Sequence, residues 1–432
     1  MKFPGKRKNK HYFPITQKGR IPLTVDFTRK NDVYICGIDQ LLVDIEASVD
    51  EDFIKRYNIE KGQSAVFNDQ SAEELYAYLK KNSLIIGEYP GGAIGNTLHN
   101  YSVLSDTRSI LFGVINNSIT VGDYAYKYIC NTSFLVDLSY VQPCDGQMGK
   151  AICFVTPDGE RSFVISKGKM NDLYPEYVNE SIIENSALLL ISAYLLRDET
   201  TPMFAATMKA AEIARSKKIP IVLSLGTASL IRDKHDFFMD FIKNYVNVLA
   251  MNDSEAQALT GRSDALLAAE VCLDMVDLAL ITVGPHGLYL CGHVDKQYAR
   301  ETKDQLHTKS IINYNRYEYS RGMLKHDCVD PVKIFTHINP YMGGPGQVAN
   351  TNGAGDAALA ALLHDISSNC YHKLMVPNSP KHAANFLTYS SLAQISKYAN
   401  RVSYEVLEQN SPRLIKGLPE KEDSLEESYW ER

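Results

Sequence analysis

No two of the eight cysteines (Cys36, Cys130, Cys144, Cys153, Cys272, Cys291, Cys328 and Cys370) have Cys-x-x-Cys spacing. Neither a zinc site nor a disulfide framework is therefore indicated. Most of these thiols sit among apolar neighbours, as small core residues do, and a reducing, cytoplasmic setting fits them. No uninterrupted apolar run approaches the roughly 20 residues that a membrane-spanning helix needs. Met1-Lys2-Phe3-Pro4 leads into charge, so a secretory signal is not expected. Internal repeats and low-complexity tracts are missing too. Positive charge is in short supply, with 45 Lys and Arg against 51 Asp and Glu and a formal net charge of -6. That balance argues against a partner that is nucleic acid or an acidic membrane. Lys6-Arg7-Lys8-Asn9-Lys10, the one conspicuous basic run, reads as a solvated tail.

What remains is a chain of 432 residues, 45% hydrophobic and 22% charged, as expected of a soluble globular enzyme. That length allows one large α/β domain with additions, or two ordinary domains. Residues 1–30 are polar and broken by prolines, an extended arm. Val33 to Gly37 reads as a first buried strand. Pro202 to Lys218 has helical spacing, and Ile219 to Leu225 is a short apolar strand. Val246 to Ala250 is another strand, Asp253 to Leu259 a helix stopped by Gly261, and Leu278 to Val283 a further strand. Strands alternating with helices imply a mostly parallel sheet covered on both faces, with ligands outside the strands' carboxyl ends. One stretch breaks the rhythm. Ala151 to Thr156 and Arg161 to Ser166 flank Pro157-Asp158-Gly159-Glu160 and read as a β-hairpin, either a plain surface hairpin or a lid. The polar, tyrosine-rich segment 293–346 is too long for a structureless loop and should hold extra strands or helix. Residues 416–432 form an acidic tail.

Asn350-Thr351-Asn352-Gly353-Ala354-Gly355-Asp356 runs straight into Ala357-Ala358-Leu359-Ala360-Ala361-Leu362-Leu363. A glycine-rich turn opening a helix presents unpaired N–H groups and partial positive charge, which suit an anion. Glycines let a phosphate approach closely. A carboxylate at Asp356 suits an anion site badly unless it takes a proton from an attacking hydroxyl. Cradle plus base describes a kinase for a small alcohol. Taken alone, these residues fit ordinary first-turn capping equally well.

Three further motifs break that tie. Gly91-Gly92-Ala93-Ile94-Gly95-Asn96, Asn252-Asp253-Ser254-Glu255 with Leu259-Thr260-Gly261, and Thr282-Val283-Gly284-Pro285-His286-Gly287 precede the turn in order. With it they resemble the signatures of the ribokinase (PfkB) carbohydrate kinase family, over about residues 30–400. Gly37-Ile38-Asp39-Gln40-Leu41-Leu42-Val43-Asp44 resembles the nucleoside kinase branch. The whole chain, with its first residues and Ser424 to Trp430, resembles bacterial members that act on inosine and guanosine.

The resemblance implies a three-layer αβα domain over 31–415. A small discontinuous β lid would come from about 40–52 and 131–168. It implies ATP and Mg²⁺, allows K⁺ and a homodimer, and makes a purine nucleoside the substrate, its 5′-hydroxyl the acceptor. Asp356 matches the catalytic base, and the N–H groups of Gly353, Ala354 and Gly355 the anion hole. A carboxylate near its ordinary pKa is a weak base, so positioning must supply most of the acceleration. Asp39 and Asp44 match ribose-gripping carboxylates, and Gly91, Gly92 and Asn96 the sugar-contacting turn. Arg197, at a strand's carboxyl end, would meet substrate or phosphate, or form a surface ion pair. Asn252 and Glu255 match positions near the phosphates, with Glu255 reaching the metal through water; they also spell a capping box. Thr282, Gly284 and Gly287 match a nucleotide-facing loop, Asn352 the nucleotide side of the turn, and Asn400 the adenine pocket. The family usually has Asp where this chain has Asn350, which leaves that position and any K⁺ site open. Alternatives are a kinase for adenosine, ribose or fructose, or a nucleoside-binding regulator without phosphotransfer.

Overall fold

The apolar runs of the sequence become strands buried on both faces. A computed structural model describes residues 33–105, 107–303, 309–312, 314–340, 348–415 and 417–418. Its central sheet has eleven strands. Those running parallel lie in the order Val136–Asp137, Ser109–Phe112, Ile35–Ile38, Leu189–Ser192, Ile221–Ser224, Val248–Asn252 and Leu278–Thr282. Alternate side chains feed two cores. Leu189, Ile191, Leu249, Ala279 and Ile281 enter one, and Leu190, Val248, Ala250, Leu278 and Leu280 the other. Helices Pro202–Ser216, His235–Tyr245, Asp253–Thr260 and Ala265–Cys272 cover the first face. Ala93–Ser105, Ala354–Met375 and Leu392–Leu407 cover the second. This is the expected three-layer αβα sandwich.

The helix 354–375 is buried on every side over residues 357–369, so its lack of an apolar stripe follows from its place between two other helices. The first strand starts two residues and ends one residue later than expected, at Ile35–Ile38. Asp39 therefore follows it directly. Its neighbours, Ser109–Phe112 and Leu189–Ser192, lie on opposite sides, so Asp39 stands where the chain order reverses and a crevice opens.

Beside this domain a second sheet has five strands, in the order Ser64–Val66, Arg161–Ser166, Gly149–Val155, Leu42–Ser48 and Ile85–Gly91. The expected hairpin is its antiparallel centre. Helices Glu51–Arg56 and Asp69–Lys81 pack on it, and Phe53, Ile54, Leu75, Leu79, Ile152 and Phe154 give this lid a core of its own. Its make-up differs from expectation. Residues 64–66 and 85–91 join it, whereas Val136–Asp137 joins the central sheet and Gln142–Cys144 pairs with Val114–Asn116. Strands of two or three residues carry too little alternation to be assigned from sequence. In the segment 293–346, strands Arg321–Met323 and Pro331–Ile338 add antiparallel to Leu288–Asp295, and Phe386–Ser391 closes that edge. The arm 1–30 lies outside the described residues, as do 416 and 419–432 of the acidic tail. Among the described residues no helix is long and apolar enough to cross a membrane.

Helix Ala93–Ser105 also clasps a segment from far along the chain. Asn100 Oδ1 accepts the Leu414 N–H at 2.7 Å, and Asn100 Nδ2 donates to the Pro412 carbonyl at 3.3 Å. His99 Nδ1 accepts the Ser133 N–H at 3.0 Å, so its proton is on Nε2, which donates to the Leu414 carbonyl at 2.9 Å. Burial, and the charge of Arg413, lower the His99 pKa to about 4 and keep this ring neutral. We expect Asn100→Ala, which orphans two buried backbone groups, to cost about 1–3 kcal/mol in denaturant unfolding and to open the 411–415 segment to proteolysis.

Candidate active site

The adjacent glycines at 91 and 92 leave room for carboxylates, and Gly91 also for the Leu42 side chain, which a Cβ would meet at 2.3 Å. A Cβ on Gly91 would lie 2.7 Å from Asp44 Oδ2, and one on Gly92 would lie 2.2 Å from Asp39 Oδ2. Gly92 also has φ of +97°, a conformation open to glycine. Asp39 is buried, and its Oδ2 accepts the Gly95 N–H at 2.7 Å. Asp44, on the lid strand Leu42–Ser48, points toward the same glycines and is partly buried. The Asn96 side chain lies close enough to Asp356 to hold its pKa down. Burial pushes the pKa of Asp39, Asp44 and Asp356 up to about 7 in each case. Like charge adds to burial: Asp356 raises Asp39, Glu46 raises Asp44, and Asp44 and Glu255 raise Asp356.

Asp356 lies in the first turn of the helix 354–375, whose N-cap, Gly353, offers no side-chain hydrogen bond to its free N–H groups. The two glycines of this turn have different reasons to be there. Gly353 has φ of +81°, and a Cβ on it would strike Pro412 at 2.6 Å. Gly355 faces open space, leaving room for a ligand. The uncapped N–H groups and this opening together suit an anion.

Asn252 and Glu255 form a capping box in full. Asn252 Oδ1 accepts the Glu255 N–H at 2.8 Å, while Glu255 Oε2 accepts the Asn252 N–H at 3.0 Å and Oε1 the Asn252 amide at 2.8 Å. Glu255 is buried and its pKa is raised by that burial. Thr282 ends its strand, and the loop after it lines a depression of about 380 Å³ with Asp253, His286, Tyr289, His337 and Asn339. Gly284 has open space beside it, whereas a Cβ on Gly287 would lie 1.9 Å from the Ile338 carbonyl, so strand crossing accounts for that glycine. Asn400 donates to the Asn339 carbonyl at 2.9 Å, at the rim of the same depression. Arg197 is exposed and lies over the Tyr194 ring, 5.2 Å from its centroid. Within the described contacts it makes no surface ion pair. The Tyr194 hydroxyl feels the charges of both Glu255 and Asp356, so it lies between the capping box and the helix start at 354.

Two arginines at this site carry no signal in the sequence. Arg413 donates through Nε to Asn96 Oδ1 at 2.8 Å, from a segment with no glycine-rich or periodic pattern. Arg161, on the lid, reaches Asn352 Oδ1 at 3.0 Å, Asn350 Oδ1 at 3.3 Å and Glu46 Oε1 at 3.2 Å. It ties the lid to the turn. Arg161→Ala should speed amide exchange across 348–353 and lower stability by about 1 kcal/mol. Exchange in that turn at the unaltered rate would show that the tie does not order it.

A sandwich with carboxylates at its switch point and an open helix start beneath a lid is the architecture of a sugar-type kinase. Residues 68–306 match the pfkB family carbohydrate kinase. Over 436 aligned residues, spanning all of both chains, the sequence is 52% identical to a guanosine-inosine kinase of Escherichia coli (strain K12). The chain belongs to the pfkB family. It is a kinase, and ATP is the donor that membership implies. Solved structures agree on the fold. An adenosine kinase from Sinorhizobium meliloti superposes with a TM-score of 0.65 at 23% identity, over 90% of this chain and 98% of its own. A probable sugar kinase from Rhizobium etli gives 0.64 at 18% identity, over 89% and 96%.

Proposed function

We propose that this chain transfers the terminal phosphoryl group of ATP to the 5′-hydroxyl of inosine and guanosine, giving IMP and GMP. The full-length 52% identity to a guanosine-inosine kinase carries the reading, and the carboxylate geometry supplies its chemistry. Asp39 and Asp44, side by side over Gly91 and Gly92, suit the 2′- and 3′-hydroxyls of a ribose, each of which donates to a carboxylate. Asp356 accepts the 5′-hydroxyl proton as that oxygen bonds to the γ-phosphorus and the bond to ADP breaks. Free N–H groups at 354–356 receive charge from the phosphoryl oxygens. With its pKa near 7, Asp356 is a far better base than an ordinary carboxylate.

Among the described residues no group of three or more His, Cys, Asp or Glu could hold a metal. Both Glu255 oxygens already accept hydrogen bonds, which suits a magnesium ion carried by the phosphates and reached through water. When bound, that ion neutralises charge on the triphosphate. The Asn350 oxygen is engaged by Arg161 and by the Asn352 N–H, so a monovalent cation there would require the guanidinium to move.

ADP release measured with inosine, guanosine, adenosine and ribose tests the substrate. Turnover should be highest with the two 6-oxopurine nucleosides, and none with either would end the proposal. Asp356→Asn should lower kcat by about 10²–10⁴. In the unaltered enzyme kcat should fall as pH drops through about 7, where Asp356 gains its proton. Stability runs the other way. The folded pKa lies above the unfolded value of about 3.9, so this group's contribution is greatest below that and is lost as pH rises through about 7. Asp356→Asn should accordingly be as stable as the parent at acid pH and a few kcal/mol more stable at pH 8, checked by denaturant titration.

A further inference from the structure

We infer that Arg413 is a positioning residue for Asp356: by holding the Asn96 oxygen it turns the amide's NH₂ to the carboxylate. The inference rests on Asp356 being the base of the proposed reaction. An Asn side chain has two orientations, and a bond to its oxygen selects one. Arg413 Nε–H donates to Asn96 Oδ1 at 2.8 Å, so that oxygen is committed and the NH₂ is left for Asp356. With the amide turned over, oxygen would oppose carboxylate.

Packing alone does not call for an arginine here. Arg413 is only 2% exposed, donates through Nη1 to Thr132 Oγ1 at 2.6 Å, and lies 4.8 Å from the Tyr128 ring centroid. Its Nη2 is buried without a hydrogen-bond partner, and so is the Tyr128 hydroxyl. A Cβ on Gly95 would lie 3.0 Å from that Nη2, 2.5 Å from the Tyr128 oxygen and 3.1 Å from Asp39 Oδ2. These polar groups therefore converge on one bare backbone position beside the carboxylates. A buried, incompletely bonded cation is costly, and an apolar side chain would stabilise the tail better. The cost has a use if the charge acts on the acids around it.

Those acids come from several elements. Asp39 follows the first strand, Asp44 and Glu46 belong to the lid, and Glu255 belongs to the helix 253–260. Arg413 lowers Asp39, Asp44 and Asp356 against burial and mutual repulsion. Glu46 has its own partner in Arg161. Tyr128 and Tyr194 are held up at about 12, and His99 is neutral, so none of these offsets the cluster's negative charge.

Two variants test the idea. Arg413→Gln removes the charge, and Arg413→Lys keeps it but has no Nε for Asn96. The Asp356 carboxyl titration, followed by carbon NMR and assigned by its loss in Asp356→Asn, should move up by about one pH unit in Arg413→Gln. The acid limb of kcat should move with it. In Arg413→Lys the limb should stay near its original pH while kcat falls about tenfold. An unmoved titration in Arg413→Gln, with only a lower melting temperature, would overturn the inference. So would an Arg413→Lys enzyme with full kcat, which decides the matter alone if the Gln variant does not fold. If the unaltered enzyme phosphorylates no nucleoside, the proposed function fails, and the NMR titration still decides the role of Arg413.

Discussion

Negative charge crowded into a buried crevice is the constraint that the rest of this site answers to. Asp39, Asp44 and Asp356 converge from a strand end, a lid strand and a helix start, and Glu255 is close enough to add its field. Left to burial and repulsion, each would hold its proton. The Gly95 N–H, the Asn96 amide and the Arg413 guanidinium pull the other way. The outcome is a set of coupled acids poised near neutrality, whose protons belong to the group more than to any member. A base that must give and take a proton at physiological pH gains from that balance.

The fold delivers these charges from rigid supports. Strands with apolar residues on both faces fix Asp39 at the switch point, and a helix buried all round fixes Asp356. The lid brings Asp44 on a sheet with its own core. Arg161 spans the gap between lid and main domain. Its partners, Asn350 and Asn352, lie in the turn that leads to the free N–H groups. Lid position and turn geometry are thus linked through one side chain.

Much of this was legible in the sequence because it is local. Alternating strand and helix patterns, the hairpin around Pro157 to Glu160, the Asn252–Glu255 capping box and the glycine-rich turn all depend on residues a few positions apart. The purposes of particular glycines were less legible. Gly353 and Gly287 yield to Pro412 and to the Ile338 carbonyl, contacts that only the folded chain reveals. Short strands such as Val136–Asp137 carry no periodicity of their own, and this one pairs in the central sheet although it falls within the 131–168 expected for the lid. Arg413 and Arg161 were invisible because their partners lie 317 and 191 positions away and no local pattern marks an arginine as buried. The Asp356 pKa, taken as ordinary from sequence, is set by neighbours from four different elements.

The clasp between the helix 93–105 and the segment 412–414 has a consequence for how the protein comes into being. A ribosome adds Asn96 and His99 more than three hundred residues before their partners Arg413 and Leu414. The early layers can collapse during synthesis, since nearby strands and helices already bury one another. The crevice around Asn96 cannot be completed so early. Until the late segment emerges and docks against that helix, Asn96 lacks its Arg413 partner and the acids nearby lack that charge. The contacts of Asn96 with Arg413 and of Asn100 with Leu414 are thus among the last that synthesis allows to form.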